Sequence, residues 1–469
     1  MTAFGNELNV RATAIPGLLV VDLPVHGDSR GWFKENWQRE KMTALGLRDF
    51  RPVQNNISFN DAVGTTRGIH AEPWDKYVSV ATGRVFAAWV DLREGPTFGT
   101  TFATTIDPGT AVFVPRGVGN SYQTLEPDTA YTYLVTDHWS PDATYTFLNL
   151  ADETAAIDWP IPLADAEMSA KDLAHPRLAD VVAMPARRTL VLGANGQVGQ
   201  ALRAVYGDDP SVEFATRADL DLSGADLATA RHWRDYSAII NAAAYTAVDE
   251  AETPTGRADA WQANAAGVAR LAAVAAENDL TLVHISSDYV FDGAADGLYD
   301  ESHPFSPLGV YGQSKAAGDL AAATAPRHYI VRSSWVVGGG RNFVSIMADL
   351  ARRGVSPRVV ADQRGRLTFA DDIAAGIRHL RDSNAAYGTY NLSSSGEVVS
   401  WADIAREVYR IVGADPSNVI DTTTAEYFAD SDRPISPRPA NSGLDLGKIG
   451  AAGFEPVDGL SGLRAYLAP

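Results

Sequence analysis

The sequence predicts a two-domain protein, with an all-β N-terminal half and an α/β C-terminal half. At roughly 100–200 residues per domain, a chain of 469 residues has room for two or three domains. Before residue 180, short alternating apolar runs are separated by turn residues, which is typical of antiparallel strands. After residue 187, apolar strands alternate with alanine-rich helical stretches, which indicates a parallel sheet covered on both faces. The predicted boundaries are 1–180, a linker at 181–187 with Pro185 as a breaker, and 188–469.

Composition excludes several classes of protein. Hydrophobic residues make up 45% and charged residues 21%, which is ordinary for a globular protein. No apolar run reaches the ~18 residues that a membrane span needs, and the N-terminus lacks the features of a secretory signal. The net charge of −19 argues against nucleic acid or anionic membranes as partners. The absence of cysteine excludes disulfides and thiolate metal sites, and it fits the cytoplasm, which is the expected location.

Period-two alternation predicts the strands of the N-terminal half. The stretch from Val78 to Trp89, broken by Thr82-Gly83, predicts a β-hairpin. Tyr131, Tyr133 and Val135 share one face of a later strand. No long amphipathic helix is evident from 51 to 150, so we expect an antiparallel barrel or sandwich.

The C-terminal half begins with a glycine motif that favours dinucleotide binding. The segment Gly193–Gly199 follows an apolar strand and opens a helix, a context in which glycines allow backbone N–H groups to approach a pyrophosphate. This predicts a Rossmann doubly wound parallel sheet. Arg217 follows the second strand where an acid would bond the ribose hydroxyls, so NADPH is favoured and NADH is the alternative. The candidate cofactor-binding residues of the motif are Gly193, Asn195, Gly196, Gln197, Val198 and Gly199.

Further strands and a catalytic pair follow the glycine motif. Tyr311 and Lys315 lie four residues apart, so both side chains share one face of a predicted helix. A reductase needs a proton donor at the carbonyl oxygen, and a nearby ammonium lowers the pKa of a phenol. Ser287 ends an earlier strand, where its hydroxyl can hold the carbonyl. From about residue 340, helices and loops predict a small substrate lobe. The predicted strands are Thr189–Leu192, Ala238–Asn241, Leu282–Ile285 and Tyr329–Arg332.

Over about residues 187–468, the sequence resembles the dTDP-4-dehydrorhamnose reductase family. The resemblance is carried by the segments Asn241–Glu252, Ser287–Gly293, Tyr311–Lys315, Ser333–Trp335, Asn342-Phe343, Asp362-Gln363 and Arg438–Ser442. It implies that Ser287 stands where the family has Thr, and that Tyr311 and Lys315 are the catalytic pair and also contact the cofactor. It further implies cofactor contacts at Ala242 and Ala243. The sugar pocket that it implies contains Asp288, Tyr289, Trp335 and Arg438.

Over about residues 10–180, the sequence resembles the dTDP-4-dehydrorhamnose 3,5-epimerase family, whose fold is a cupin-like antiparallel barrel. Epimerisation beside a ketone needs a base, an opposed acid and a cation at the enolate oxygen. The resemblance implies that His70 is the base, oriented by Asp152. It implies that Tyr133 is the acid and that Lys76 is the cation. The matching segments are Asp28–Glu35, Gln54–Ser58, Arg67–His70, Lys76, Asp91–Arg93, Tyr133, Asp152, Trp159-Pro160 and Ser169–Asp172.

The same resemblance implies a set of substrate-binding residues, among which Arg30 and Arg67 would hold the pyrophosphate by bidentate contacts. Two positions depart from the family pattern: Asn120 stands where the family has a second His, and Trp139 replaces a Tyr. These departures leave open whether both C3 and C5 are epimerised. The implied substrate-binding residues are Arg30, Phe33, Glu35, Gln54, Asn56, Arg67, Asn120 and Trp139.

Together, the two resemblances imply one enzyme that makes dTDP-L-rhamnose from dTDP-4-dehydro-6-deoxy-D-glucose. The first half would epimerise the sugar, and the second would reduce it with NADPH. Two alternatives stay open: a related deoxysugar substrate, or an N-terminal half that binds a sugar nucleotide without catalysis. A homodimer formed through the barrel is expected. No carboxylate–His cluster with metal spacing is evident, so no metal is expected.

Overall fold

The computed structural model describes residues 7–140, 143–224 and 226–468. The chain divides into two compact units, Met1–Ala186 and Arg187–Pro469. In the described ranges, no helix is long and apolar enough to cross a membrane.

The N-terminal unit is built almost entirely from antiparallel strands. Its strands are β1 (Asn9–Ala12), β2 (Leu19–Asp22), β3 (Val25–Asp28), β4 (Gly31–Lys34), β5 (Gln54–Asn60), β6 (Thr66–Ala71), β7 (Lys76–Thr82), β8 (Val85–Asp91), β9 (Thr101–Ile106), β10 (Thr110–Val114), β11 (Val118–Thr124), β12 (Thr129–Val135) and β13 (Thr146–Phe147), and its helices are α1 (Arg39–Ala44) and α2 (Ala170–Leu173). One sheet has the order β1-β2-β10-β7-β12-β5, the other has the order β13-β6-β11-β8-β9, and β3 and β4 form a separate hairpin.

The core of this unit lies between the two sheets. Val78 and Val112 from the first sheet pack in one apolar cluster with Trp89 and Tyr122 from the second. Alternate residues of each strand therefore face inward, as expected for packed antiparallel sheets. This confirms the predicted all-β fold, and no helix occurs within 51–140 or 143–150.

The predicted hairpin from Val78 to Trp89 was wrong. Strand β7 pairs with β10 and β12, whereas β8 pairs with β9 and β11, so the two strands lie in different sheets. Gly83, at φ +80°, lies in the turn between them, where a Cβ would overlap Thr129. Alternation of apolar and polar residues identifies which side chains face the core. The pattern is the same whether two strands pair within one sheet or lie in two sheets on opposite sides of the core.

The segment predicted as a linker contacts the N-terminal unit. The N–H of Met184 donates to the carbonyl of Leu92 at 2.8 Å, and its carbonyl accepts from the N–H of Glu94 at 2.9 Å. The Met184 side chain is buried among Ile69, Leu92 and their neighbours. Residues up to Ala186 are therefore part of the first compact unit.

The C-terminal unit alternates strands and helices. Its strands are β14 (Arg188–Leu192), β15 (Val212–Ala215), β16 (Tyr236–Asn241), β17 (Thr281–Ser287), β18 (His328–Ser333), β19 (Val336–Val337), β20 (Arg358–Val360), β21 (Arg364–Gly365), β22 (Thr368–Phe369), β23 (Gly388–Asn391), β24 (Val399–Ser400) and β25 (Ile420–Thr422). Its helices are α3 (Gln197–Tyr206), α4 (Pro254–Trp261), α5 (Gly267–Glu277), α6 (Val310–Ala322), α7 (Phe343–Arg352), α8 (Ala370–Asp382), α9 (Trp401–Ile411), α10 (Thr424–Tyr427), α11 (Gly447–Ala451) and α12 (Gly459–Leu467).

The main sheet of this unit has the order β15-β14-β16-β17-β18-β23, and every pairing in it is parallel. Separate apolar clusters cover its two faces: Leu271 of α5 lies in one and Ile373 of α8 in the other. The four strands predicted from the sequence are confirmed. The strand order reverses between β14 and β16, so a crevice for a ligand is expected at the carboxyl ends of these strands.

The last part of the chain forms the predicted lobe. Strand pairs β19–β22, β20–β25 and β21–β24 lie outside the main sheet. Helices α7 and α9 pack in a third apolar cluster, which includes Val344 and Val408.

Two candidate active sites

In the N-terminal unit, His70 forms a hydrogen-bonded pair with Asp172. His70 lies on β6, and its Nε2 is 2.8 Å from Oδ1 of Asp172. Asp172 lies in the first turn of α2, where its N–H donates to the Ser169 hydroxyl at 3.0 Å. Burial opposes ionisation of Asp172, but hydrogen bonds from His70 and Ser169 hold the pKa of this carboxyl below its usual value. A carboxylate placed this way can orient an imidazole and stabilise its protonated form.

The prediction that Asp152 orients His70 was wrong. One oxygen of the Asp152 carboxylate accepts the N–H groups of Thr154 at 2.9 Å and Ala155 at 2.7 Å, and the other accepts the N–H of Leu178 at 2.7 Å. Asp152 therefore stabilises its own loop and joins it by a hydrogen bond to the backbone at Leu178. Asp172 could have been predicted from the sequence, because Ser169–Asp172 resembles the tail of the epimerase family.

A second group of polar residues surrounds Tyr133. Lys76 forms an ion pair with Glu72, and its Nζ lies 5.4 Å from the centre of the Tyr133 ring. Burial raises the pKa of Tyr133, and the negative charge of Glu72 raises it further, whereas the positive charge of Arg67 lowers it. Arg67 and Glu72, which act on Tyr133, flank His70 along the chain. Glu72 was missed, although it stands two residues after the predicted base.

Several predicted substrate-binding residues line this region. Asn56 pairs with Tyr133 across β5 and β12, and Gln54 donates to the Asn56 side chain at 2.8 Å. Asn120 pairs with His70 across β11 and β6. The Arg67 guanidinium donates to Asn60 at 3.1 Å and the hydroxyl of Tyr131 donates to Asn120 at 3.1 Å.

The remaining predicted residues lie on exposed segments. Arg30, in the turn of the β3–β4 hairpin, bonds only its neighbour Asp28 among the described contacts, and 87% of its side chain is exposed. Phe33 and Trp139 are also exposed. Glu35 pairs with Lys41 at 2.6 Å. The structure does not bring these side chains to His70.

His175 joins the pair formed by His70 and Asp172. One ligand atom from each of the three residues lies within 4.8 Å of the others. The His175 ring is buried and stacks on Phe147, and burial lowers its pKa, with the charge of His70 adding to the effect. No such cluster was evident from the sequence, because Asp172 and His175 lie about a hundred residues from His70. Two imidazoles and a carboxylate are donors suited to zinc.

In the C-terminal unit, the glycine motif forms a cradle with room for a phosphate. Gly193 has φ +76°, and a Cβ there would overlap the backbone of Ala242 and Ala243. A Cβ on Gly199 would overlap the carbonyl of Gly193. Helix α3 begins after Gly196, which offers no side chain to cap the first N–H groups. These groups, which include those of Gln197 and Val198, suit an anion, so the residues present fit a dinucleotide pyrophosphate.

The predicted catalytic pair lies on α6. Burial raises the pKa of Tyr311 to about 12, the charge of Asp288 acts in the same direction, and a hydrogen bond with Ser287 opposes both. The Lys315 Nζ donates to the carbonyl of Ile285 at 2.6 Å. Burial lowers the pKa of Lys315 to about 8. Ser287, Tyr311 and Lys315 therefore meet at the end of β17, as the sequence predicted.

Two of the residues predicted for the sugar pocket, Asp288 and Tyr289, lie beside this pair, and a third, Trp335, packs against the lobe. Burial raises the pKa of Asp288 to about 6, and the Ser287 hydroxyl donates to its carboxylate at 3.0 Å. The Tyr289 ring meets the Tyr311 ring edge-on at 5.5 Å. Trp335 stacks on Trp401, with ring centres 3.7 Å apart.

Two predicted basic residues have acidic partners. Arg438 makes bidentate hydrogen bonds of 2.6 and 2.8 Å with Asp249, which follows β16. Arg217, just beyond β15, bonds Asp221 at 3.1 Å and leaves 83% of its side chain exposed. Ala194, in the glycine motif, donates to the carbonyl of Ala215 at 3.2 Å, which places the end of β15 beside the cradle.

Known proteins resemble each unit separately. Residues 12–180 match the family described as dTDP-4-dehydrorhamnose 3,5-epimerase, and residues 187–468 match the RmlD substrate binding domain. A relative of the first unit is a protein RmlC homolog from Streptococcus pyogenes serotype M6, with 53% identity over 36% of this chain and 87% of its own.

The second unit has relatives among reductases. The dTDP-4-dehydrorhamnose reductase of Aggregatibacter actinomycetemcomitans is 36% identical over 60% of this chain and 99% of its own. A solved structure of the dTDP-4-dehydrorhamnose reductase of Bacillus anthracis, in complex with NADP, matches with a TM-score of 0.55 and 30% identity, over 60% of this chain and 98% of its own. The chain therefore belongs to the dTDP-4-dehydrorhamnose 3,5-epimerase family through its N-terminal unit and to the dTDP-4-dehydrorhamnose reductase family through its C-terminal unit.

Proposed function

We propose that this chain converts dTDP-4-dehydro-6-deoxy-D-glucose to dTDP-L-rhamnose in the cytoplasm. The N-terminal unit epimerises C3 and C5, and the C-terminal unit reduces the C4 ketone with NADPH. The observation that carries the proposal is the presence, in one chain, of a His70–Asp172 pair and a Ser287–Tyr311–Lys315 site. The first supplies a base for epimerisation and the second a proton donor for the reduction that follows it.

In the epimerase site, His70 removes the proton from the carbon beside the ketone. Asp172 holds the imidazole through its 2.8 Å hydrogen bond and stabilises the imidazolium that forms. The Lys76 ammonium stabilises the enolate oxygen. Tyr133 returns a proton to the opposite face, and its raised pKa keeps it protonated at neutral pH. Glu72 holds Lys76 in place.

The nucleotide is proposed to be held by Arg67, which lies in this site, and by residues of the exposed segments described above. We assign the pyrophosphate to Arg67 and Arg30, because guanidinium groups bind phosphate by two parallel hydrogen bonds. Arg30 is exposed and paired only locally in the described contacts, so it can exchange Asp28 for a phosphate. The remaining residues proposed to contact the nucleotide or sugar are Phe33, Glu35, Gln54, Asn56, Asn120 and Trp139.

In the reductase site, Tyr311 donates a proton to the C4 oxygen while Ser287 holds that oxygen. NADPH supplies the hydride when it is bound. The Lys315 ammonium stabilises the phenolate that Tyr311 becomes, because an opposite charge favours the ionised form of a neighbouring group. Asp288, Tyr289, Trp335 and Arg438 are proposed to shape the sugar pocket.

The cofactor is proposed to lie on the cradle at the start of α3. Gly193, Asn195, Gly196 and Gly199 make room for its pyrophosphate. Gln197 and Val198 offer N–H groups, and Ala242 and Ala243 border the cradle. The NADP-bound relative from Bacillus anthracis supports a nicotinamide cofactor. Preference for NADPH is assigned to Arg217, whose exposed guanidinium can reach a 2′-phosphate.

The barrel is proposed to form a homodimer. Strand β5 lies at the edge of its sheet, and it exposes 67% of Ile57 and 56% of Phe59. An edge strand with exposed apolar side chains favours association with another chain. Light scattering after size exclusion should show a dimer that Ile57→Lys weakens, whereas Val182→Lys, at another exposed apolar position, should not. A monomeric parent protein at micromolar concentration would contradict the proposal.

One experiment tests the whole function. The full chain is incubated in D₂O with dTDP-4-dehydro-6-deoxy-D-glucose and NADPH, and the product is identified by NMR. We expect dTDP-L-rhamnose that carries deuterium at C3 and C5. A reduced sugar with its original hydrogens at both carbons would favour the alternative in which the N-terminal unit only binds sugar nucleotide.

A further inference from the structure

Behind Tyr311 and Lys315 lies a buried group of ionisable side chains that the proposed mechanism does not use. Tyr311, Lys315 and Asp319 recur every four residues along α6, so they form one stripe on the helix. His284 on β17 and Arg332 on β18 face that stripe from the sheet, through contacts with Lys315 and Asp319. The exposed fractions are 2% for Lys315, 1% for Asp319, 0% for His284 and 3% for Arg332.

His284 approaches both Lys315 and Asp319 through the same ring nitrogen. Its Nε2 is 3.5 Å from the Lys315 Nζ and 3.9 Å from Oδ1 of Asp319. On its other side, Nδ1 lies 3.2 Å from the side-chain amide nitrogen of Asn241, whose oxygen accepts the N–H of Ala243. The Asn241 amide therefore donates to Nδ1, which leaves the hydrogen of the neutral imidazole on Nε2. That hydrogen points to the side where Lys315 and Asp319 lie.

Arg332 fixes the position of Asp319. Its Nε bonds the second carboxylate oxygen of Asp319 at 2.9 Å. The same guanidinium donates to the carbonyl of Glu301 at 3.1 Å and lies over the rings of Phe291 and Phe305. A guanidinium held on so many sides keeps its carboxylate partner in one orientation. Oδ1 of Asp319 is thereby directed toward His284.

Charges of both signs lie around Tyr311: Lys315 and Arg332 are basic, whereas burial and the charges of Asp288 and Asp319 raise the pKa of Tyr311. Burial raises the pKa of Asp319, and the charge of Arg332, a hydrogen bond with Ser286 and the charge of Lys315 oppose that effect. His284 stays neutral, because burial and the charge of Lys315 hold its pKa well below the usual value. Asp288, beyond the end of β17, is the other acid that acts on Tyr311. Burial opposes the charged form of Lys315, and the charge of Asp319 opposes that effect.

We propose that Asp319 is a positioning residue of the reductase, which keeps the Lys315 ammonium charged and available to Tyr311. Asp319 supplies the negative charge that favours the ammonium. Arg332 holds the carboxylate on the far side. The inference rests on the proposed catalytic roles of Tyr311 and Lys315.

The test is the pH profile of the reductase in the full chain. An excess of a separate active epimerase supplies the epimerised substrate, and NADPH oxidation is followed from pH 6 to 10. Asp319→Asn removes a negative charge that favours the Lys315 ammonium and also raises the pKa of Tyr311, so both groups lose their protons at lower pH. We expect the alkaline limb of kcat to move down by at least about half a pH unit, while KM for NADPH stays within about threefold. Asp319→Glu, which retains the carboxylate, should restore the parent profile.

A second variant keeps the inference testable if Asp319→Asn does not fold. Asp319→Ser also removes the carboxylate but leaves a small polar side chain, so it should move the same limb in the same direction. Glu213, on β15, pairs with Arg188 on β14, and Glu213→Gln should leave the profile unchanged. An unmoved alkaline limb in folded Asp319→Asn, or in Asp319→Ser if Asp319→Asn does not fold, would overturn the inference.

A third variant separates this inference from the proposed function. Lys315→Met should abolish most NADPH oxidation. Full activity in Lys315→Met would overturn the proposed catalytic pair and the inference together. Loss of activity in Lys315→Met with an unmoved limb in Asp319→Asn would overturn only the role assigned to Asp319.

Discussion

Each unit places a lysine near a tyrosine, but the two lysines have different partners. Lys76 pairs directly with the carboxylate of Glu72, whereas Lys315 donates to the main-chain carbonyl of Ile285 and faces the neutral ring of His284. The charge of Lys76 is thus balanced locally, and Glu72 also raises the pKa of Tyr133. The charge of Lys315 is less directly balanced, so it can favour ionisation of its tyrosine. Under the proposed mechanism, the same pair of residue types would serve two forms of acid catalysis.

The largest effects are expected from variants that break one unit at a time. Tyr311→Phe removes the proton donor of the reductase, so NADPH oxidation should fall by about 10²–10⁴-fold. His70→Ala should abolish deuterium exchange at C3 and C5. In Tyr311→Phe, exchange should continue at the parental rate. A rate of NADPH oxidation within about threefold of the parent in Tyr311→Phe would contradict the role of Tyr311 as proton donor. A normal rate of deuterium exchange in His70→Ala would contradict the proposed epimerase activity.

A smaller effect is expected from the carboxylate that orients His70. Asp172→Asn should slow exchange by about 10²-fold, because the imidazole loses both its orientation and the stabilisation of its charged form. Asp152→Asn is the matched control, since Asp152 bonds only backbone N–H groups among its described contacts. It should leave exchange within about threefold, while the free energy of unfolding falls by about 1–3 kcal/mol. The reverse ranking in the exchange assay would restore Asp152 as the partner of His70.

Removal of the Glu72 carboxylate tests whether the partner of Lys76 accounts for the difference between the two sites. Glu72→Gln removes a charge that raises the pKa of Tyr133, so the alkaline limb of the exchange rate should move to lower pH. At neutral pH we expect a loss of about three- to tenfold, because Lys76 also loses the partner that holds it. Glu126→Gln, which removes an exposed carboxylate near Arg84, is the control. An unchanged limb in Glu72→Gln would show that Tyr133 does not titrate in the rate-limiting step.

The smallest effect is expected in the choice of cofactor. Arg217→Asp should shift the ratio of kcat/KM for NADPH over NADH toward NADH by several-fold, because an acid at this position bonds ribose hydroxyls and repels a 2′-phosphate. Arg203→Asp, on α3, serves as a control for a basic-to-acidic change elsewhere in the unit. Equal ratios in the parent and Arg217→Asp would show that Arg217 does not reach the 2′-phosphate.

Local patterns in the sequence were sufficient for much of the C-terminal site. The segment Gly193–Gly199 lies within one strand–turn–helix unit, and Tyr311 and Lys315 lie on one helix. The geometry of each group therefore follows from the spacing of its residues along the chain. The cluster behind Lys315 could not be predicted in the same way. Asn241, His284 and Asp319 come from two strands and a helix, and only the packed sheet brings them together.

The N-terminal site shows where sequence reasoning fails. His70 and Asp172 are separated by 102 positions, and no periodicity links residues so far apart. Asp152 was an equally acidic candidate, and the backbone groups that occupy it are not visible in a sequence. The stretch from Val78 to Trp89 gave the right strands and the wrong pairing for a related reason. Alternation reports burial, and it carries no information about which strand lies beside which.

The stacked indoles of Trp335 and Trp401 have an optical consequence. Their ring centres are 3.7 Å apart and their planes differ by 17°, so the electronic transitions of the two rings should couple. Such coupling produces a paired positive and negative band in circular dichroism, which vanishes when either ring is replaced. Trp401→Phe therefore identifies the band without changing Trp335. The band then serves as a built-in reporter of order in the lobe, and titration with NADPH or sugar nucleotide can be followed without a label.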